Sequence, residues 1–418
     1  MQLPQMATIH QQFDVPRVDN ISGTVNAQMK NLRLDQKIRR GESLAITAGS
    51  RGIANIGSII AATVEAARSA GAEPFIVPAM GSHGGGTAEG QREVLAGLGV
   101  TEESVGAPVR ATMDTVVVTE TKSGVPVHFD QLASEADHVL IVNRVKPHTR
   151  FVGPIESGLH KMMLIGLGKH RGASIYHRAI MENSFPEILA DVAEVVLDRC
   201  RVIGGLAIVE NARDETALIE AVLPEHFATR EAALLKQAVD WLPSLPVSEC
   251  HLLIVDRIGK DISGSGMDTN VVGRKFVDHI ATPDDRVCCR RILVRGLTKK
   301  TNGNACGIGL AEFATQYCVN QVDPVKTRIN CITGQHPEAG MIPIALPTDR
   351  EAVETALETI GLTEPHNARV IQISDTLHLD VVRASEACLA DIQDSDNATV
   401  AGELYEMPID DNGNLADL

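Results

Sequence analysis

Residues 143–178, NRVKPHTRFVGPIESGLHKMMLIGLGKHRGASIYHR, concentrate side chains able to do chemistry. Seven Lys or Arg (144, 146, 150, 161, 169, 171 and 178) stand against one acid, Glu156, in a chain of net charge −16. Four of the 14 histidines lie there (148, 160, 170 and 177), where an even spread would put about one. A basic run is by default a solvated face. This one follows a buried strand and is interleaved with Gly, Met and Leu, which suits the wall of a site. His148, after Pro147 at a strand end, is placed for general acid or base work, because imidazole titrates near neutrality. His160 adjoins Lys161, and on a helix the two point about 100° apart, so His160 is read as structural. His170, between Lys169 and Arg171, is read as a surface or anion contact. His177 has no H-x-x-x-H or H-E-x-x-H partner. A lone histidine of this kind implies a metal held mostly by something other than protein.

The elements that must position these groups follow a strand–loop–helix rhythm. Strands are expected at 43–48, 75–79, 138–143 and 202–209, with helices at 56–70, 88–98, 185–197 and 227–239. The fold class is therefore α/β, with mainly parallel, helix-covered sheets. In such sheets ligands sit beyond the carboxyl ends of strands. Two early loops answer that description, Gly49-Ser-Arg-Gly52 and Gly81-Ser-His-Gly-Gly-Gly-Thr87. Each carries one functional side chain, Arg51 or His83, among small residues that let a ligand approach the backbone. The two prolines of 241–248 break the periodicity and read as a linker. A second α/β set follows, with strands at 251–255, 291–294 and 370–373 and a helix at 349–360. This gives an N-terminal α/β catalytic domain over 1–245 and a C-terminal α/β domain over 246–390, with the active site expected in the cleft between them. The acidic tail 391–418 is either a solvated end or a segment returning to the N-terminal domain.

Composition narrows the classes. At 418 residues, 44% hydrophobic and 22% charged, the chain has enough apolar material for two cores and is not a disordered protein. Its acidity disfavours a phosphate-tracking nucleic-acid binder. No run approaches a membrane span, and the N-terminus lacks a secretory pattern. The eight cysteines form no C-x-x-C pair, which argues against structural zinc or iron–sulfur sites. The reading is a reduced, cytoplasmic, soluble protein.

The arrangement resembles the nickel-pincer lactate racemases and their 2-hydroxyacid racemase or epimerase homologues. Ser157-Gly-Leu-His-Lys161 is similar to the family's S-G-G-x-K segment, whose lysine carries the pincer nucleotide through a thioamide. His177 stands sixteen residues beyond Lys161, the offset of the family's nickel-ligating histidine. Pro147-His148 resembles the proline–histidine before the lysine segment, and Gly81-Ser82-His83 resembles the loop bearing the other catalytic histidine. Arg51 falls where the family has a substrate- or cofactor-contacting arginine. The family's D-x-T-R-P loop is here Ala48-Gly-Ser-Arg-Gly52, and three extra residues separate His148 from Lys161. The glutamine–x–x–lysine element of the second domain has no clear counterpart, and Lys260 is the candidate for its basic group. These departures bear on substrate contacts more than on chemistry and put lactate itself in question.

The resemblance implies racemisation or epimerisation of a 2-hydroxyacid through a 2-keto acid, with a nickel-pincer nucleotide covalently bound at Lys161. His83 and His148 would be the acid/base pair, His177 the nickel ligand, Ser157 and Arg51 cofactor contacts, and Arg51 and Lys260 the partners of the substrate carboxylate. Partners would be the small hydroxyacid and the proteins that make the cofactor, with no nucleic acid and no membrane. Two other readings stand beside it. One is a phosphate- or nucleotide-binding transferase using the Gly81–Thr87 loop, which lacks the P-loop lysine. The other is a non-catalytic nickel- or anion-binding protein.

Overall fold

The computed structural model describes every residue except Arg51 and Met181. The chain forms two compact units, Val15–Leu242 and a second made of Met1–Asp14 with Pro243–Leu418.

The Val15–Leu242 unit is built on a five-stranded sheet in the order Glu73–Pro78, Ser43–Ala48, His138–Arg144, Val202–Glu210, Thr216–Val222. The first four strands are parallel and the last is an antiparallel edge. Alternation along the central strands explains why they are buried on both faces. Ala45, Val77, Val139, Ile141 and Ala207 pack on one side with the helix Phe185–Arg199. Leu44, Ile46, Ile76, Leu140 and Leu206 pack on the other with the helix Ile56–Ser69. Each such side chain withdrawn from water contributes roughly 1.5–3 kcal/mol. The helix at 185 starts where Ser184 and Glu187 form a capping box with Pro186 in the first turn, which satisfies donors the helix cannot.

Chain order fixes where this sheet can bind. From Ser43–Ala48 the chain moves to one neighbour, Glu73–Pro78. It then passes through the separate hairpin Thr115–Glu120 and Pro126–Asp130 and returns on the other side as His138–Arg144. The switch point therefore lies at Ser43–Ala48, and the loops beyond the carboxyl ends of these strands form the ligand-binding edge.

The second unit has an eight-stranded sheet. Five strands (Ile344–Leu346, Phe313–Thr315, Cys288–Val294, Glu249–Val255, Val370–Ile373) are parallel. Val381–Ser385, Gln5–Gln11 and Ala398–Glu406 continue it antiparallel. This differs from the division expected from sequence in two ways. Residues 1–14 belong to the later unit, because Gln5–Gln11 is an interior strand there, next to the edge, with both ladder edges paired. The segment after 391 stays in that same unit, because Ala398–Glu406 supplies one of those pairings. A single short N-terminal strand carries no periodic signal that names its partner.

All eight cysteines are free thiols. Among the described residues no helix is long and apolar enough to cross a membrane.

Candidate active site

The lysine-bearing turn follows from its own sequence. Leu159, Met162, Met163, Leu164 and Leu167 are buried in the core beneath it, which leaves Lys161, half-buried, on the outer side. The helix Leu159–Lys161 runs into a π-helical turn, Met162–Gly166, with Leu167 N–H donating to Met162 O at 2.9 Å. Such turns recur at functional sites. Two polar contacts hold its start. Asn143 Nδ2, on the strand His138–Arg144, donates to Gly158 O at 2.8 Å. Glu231, fully buried on the helix Phe227–Asp240, accepts from His160 N–H at 3.1 Å and pairs with His160 Nδ1. Gly158 has φ +134°, and a Cβ there would lie 2.0 Å from Glu231 Oε1. The glycine of the Ser157-Gly158 pair is thus required by backbone conformation and by the carboxylate beneath it. His160 is structural, as its place beside Lys161 suggests.

His177 is half-buried near the end of the helix Lys169–Ala179. Burial first, then the charges of Lys161 and Arg150, hold its pKa below the usual 6.5. The fold therefore brings His177 within electrostatic reach of Lys161, across sixteen residues of chain, and keeps the imidazole neutral, the form that ligates a metal.

His148 lies beyond the end of His138–Arg144. Its N–H donates to the buried Glu156 at 2.8 Å. Its Nδ1 accepts from the main-chain N–H groups of Arg150 and Phe151, each at 3.1 Å. The ring stacks on Phe151 (centroids 4.4 Å apart), which stacks on Phe185 at 4.0 Å. With the Nδ1 lone pair occupied, the neutral ring carries its proton on Nε2.

His83 is exposed in the loop after Glu73–Pro78, and its Nδ1 bonds Ser50 Oγ from the loop after Ser43–Ala48. The two glycine-bearing loops are joined at that point. Both also lie against the lysine turn. A Cβ on Gly49 would meet Met162 Cε at 3.3 Å, and one on Gly81 would meet Ile165 Cγ2 at 3.1 Å. Gly84 in this loop and Gly90 in the helix after it serve packing. A Cβ on Gly84 would fall 2.5 Å from Gly90 C, and one on Gly90 2.0 Å from Gly84 O. Thr87 Oγ1 already accepts from Gly90 N–H at the start of the helix Ala88–Gly97, so the loop uses a helix N-terminal donor itself. Nothing here favours the transferase reading.

Arg51 lies outside the described residues. Its neighbours are held by a pair that sequence reasoning misses, Arg144 with Glu210. The two side chains are ion-paired and largely buried. Arg144 Nη1 donates to Gly52 O at 3.3 Å, and Glu210 Oε1 accepts from Ala54 N–H at 2.6 Å. Glu210 stands at the end of an expected strand, and only the sheet order shows what it faces. Ser157 is half-buried just before the lysine turn. Lys260 belongs to the other unit, where its N–H donates to Thr301 Oγ1 at 3.1 Å and its Nζ to Gly264 O. The basic run is not uniform. His170 and Arg171 are exposed, but Lys169 is fully buried and is no partner for a solvent-borne anion.

The fold and these loops define an α/β protein whose ligand-binding edge is the switch point of a parallel sheet. Residues 12–187, which carry that edge and the lysine turn, match the family described as the lactate racemase N-terminal domain. This match covers less than half of the chain. Among solved structures it is similar to the lactate racemase apoprotein from Thermoanaerobacterium thermosaccharolyticum, with 14% identity, 88% of this chain and 94% of that chain covered, and a TM-score of 0.53. It also aligns with a structural-genomics protein from Thermotoga maritima, with 12% identity, 68% and 72% covered, and a TM-score of 0.47. No curated protein matches the sequence.

Proposed function

We propose that this protein is a 2-hydroxyacid racemase or epimerase working by proton-coupled hydride transfer through a 2-keto acid. The observation that carries the reading is the pairing of Lys161 with a neutral His177 beside the switch-point loops. An amine that can form a covalent tether stands near one imidazole free of charge, which is the donor set a mostly self-ligated nickel cofactor needs. The residues present thus fit a nickel-pincer nucleotide, with Lys161 as its covalent anchor, His177 as the protein ligand to nickel, and Ser157 and Arg51 as further contacts. When bound, that group supplies the hydride acceptor.

The chain's own residues supply the proton chemistry and the positioning. Inversion at Cα needs one group to take the hydroxyl proton on one face and another to return a proton on the opposite face. We assign His83 and His148 to these tasks. Their surroundings differ. As held, His148 presents Nε2–H as a hydrogen-bond donor, and to return a proton it must first be the imidazolium, its Nδ1 exchanging the Arg150 and Phe151 main-chain donors for a proton. His83 can donate Nδ1–H to the Ser50 hydroxyl, which leaves the Nε2 lone pair to act as base. For the reverse direction the Nδ1–H form of His148, left after it returns its proton, accepts the hydroxyl proton at Nε2. Arg51 is assigned to the substrate carboxylate, which a guanidinium can meet with two hydrogen bonds.

The test is a chiral assay across 2-hydroxyacids with cofactor-loaded protein, accompanied by intact mass and metal analysis. Inversion with retention of the α-hydrogen in labelled water, one nickel and a covalent adduct at Lys161 are expected. His83→Ala and His148→Ala should each impair inversion, by roughly 10²–10⁴-fold, with nickel still bound. Unchanged turnover in both would remove their assignment. Loaded protein that inverts no hydroxyacid would leave the metal- and anion-binding reading instead.

A further inference from the structure

We infer that Gln91, fixed in one orientation by the buried Lys169–Asp130 pair, is a positioning residue for the His83 loop. The inference rests on the acid/base role proposed for His83.

The argument starts from a group that has no business inside the protein unless something holds it there. Lys169 and Asp130 are each fully buried, with Lys169 Nζ 3.1 Å from Asp130 Oδ2. Asp130 ends the strand Pro126–Asp130, and its other oxygen caps the following helix by accepting from Ala133 N–H at 2.8 Å. Lys169 adopts φ +53°, a left-handed conformation costly for a residue with a Cβ. Burying two charges and a strained backbone costs several kcal/mol unless geometry recovers it. A surface lysine and an apolar replacement would be the simpler solution.

What the pair accomplishes is seen at the other acceptors of Lys169 Nζ. One is Pro78 O, on the last residue of the strand that leads into the His83 loop. Another is Gln91 Oε1 at 3.0 Å. An ammonium can only donate, so the Gln91 amide has one allowed orientation, oxygen toward Lys169 and NH₂ away. That NH₂ donates to Gly81 O at 3.0 Å and to His83 O at 3.4 Å. Gln91 is itself fully buried. It is aimed at the loop because the close approach of Gly84 and Gly90 seats the loop directly on the start of its helix. A sequence of one-way donors therefore runs from a buried charge to the carbonyls of Gly81 and His83. Reversal of the amide would set Lys169 against an NH₂ and the loop carbonyls against an oxygen. His83 is exposed, and this network fixes its main chain from below.

The experiment reads the His83 ring directly, by NMR on cofactor-free protein, so that it does not depend on turnover. Gln91→Met keeps the volume and removes both amide roles. It should shift and broaden the His83 ring resonances while those of His226, just before the helix Phe227–Asp240, stay put. A second background, Lys169→Met with Asp130→Leu, removes both charges together. There Gln91 is no longer forced into one orientation, and the added effect of Gln91→Met on His83 should be markedly smaller, since coupled residues are non-additive. In loaded enzyme Gln91→Met should lower kcat by roughly ten- to a hundredfold with KM little changed, as expected when a reacting group is misplaced while substrate binding is kept. Unmoved His83 resonances in folded Gln91→Met would overturn the inference, and so would equal effects in the two backgrounds. If the charge-free pair does not fold, Gln91→Met alone decides. A protein that fails to racemise yet shows the His83 shift would sink the functional reading and leave the positioning intact.

Discussion

Beyond the carboxyl ends of the strands at its switch point, the Val15–Leu242 unit presents glycine-bearing loops, a half-buried lysine and three histidines, His83, His148 and His177. The other unit has a switch point of the same kind at Glu249–Val255, between Cys288–Val294 and Val370–Ile373. There the polar groups are closed off by residues 415–418. Arg295 pairs with Asp256 at 2.5 Å, Asp349 at 2.8 Å and Asp417 at 2.9 Å. Leu418 N–H donates to Asp256 Oδ2 at 2.9 Å, and Gln372 Nε2 to Ala416 O at 3.0 Å. One architecture thus yields two outcomes. Where buried charges are matched by the chain itself, the edge becomes structural. Where they lie underneath, holding loops in place, the edge keeps chemistry on its outer side.

Four measurements break or sharpen this contrast. The largest effect is expected at the open edge: Lys161→Ala should abolish both cofactor retention, read by intact mass, and racemisation. Full activity in cofactor-free Lys161→Ala protein would contradict the mechanism. At the closed edge, Arg295→Met should leave Asp256 and Asp349 buried without their partner and destabilise the fold by about 3–5 kcal/mol, measured by denaturant unfolding. A cost near zero would mean that the edge is not held by these charges. Gly158→Ala should be intermediate. It strains a positive φ and drives a methyl into Glu231, costing roughly 1–3 kcal/mol and displacing Lys161, so adduct yield should fall along with stability.

The smallest effect is electrostatic. His177 should titrate below 6.5 by NMR, and Lys161→Met should move its midpoint upward, since the lysine charge is one of the causes of the depression. The sign for stability follows. With the folded pKa below 6.5, the unfolded chain binds more protons between the two values. This histidine's contribution is therefore intact above 6.5 and declines as pH falls through that window. His177→Gln should flatten the decline. A midpoint indifferent to Lys161→Met would separate the two side chains.

The four parallel strands of the Val15–Leu242 unit and four of its helices are legible because their signals are local, while the hairpin Thr115–Glu120 and Pro126–Asp130, the edge strand Thr216–Val222 and the helix Ile21–Asn31 are not anticipated. SLAITA and HVLIVN are short apolar runs beside turn residues, and Ser184-Phe-Pro-Glu187 carries a cap, an early proline and a capping acid within four positions. Gln5–Gln11 and the partner of Ala398–Glu406 are not legible, because strand pairing across nearly four hundred residues leaves no mark on either segment alone. The site divides the same way. The structural role of His160 can be read from its neighbour. Lys169 looks in the sequence like one more surface cation because charge along a chain says nothing of burial, and its partners Asp130 and Gln91 lie 39 and 78 positions away. Glu210 and Glu231, which hold the two halves of the candidate site, give no signal beyond an acid on an amphipathic element.

By itself the sequence determined where residues able to do chemistry concentrate, through composition and short spacings: an imidazole after a proline at a strand end, a basic run beyond a buried strand, small residues where backbone must come close; the role of Lys161 was implied only by the family resemblance. Tertiary structure alone decided which cations face outward and which are locked inside, which nitrogen of His148 carries the proton, and which helix lends a side chain to the His83 loop. The reason is physical. Conformational preference acts over a few residues, whereas desolvation and hydrogen-bond direction depend on every neighbour the folded chain brings near.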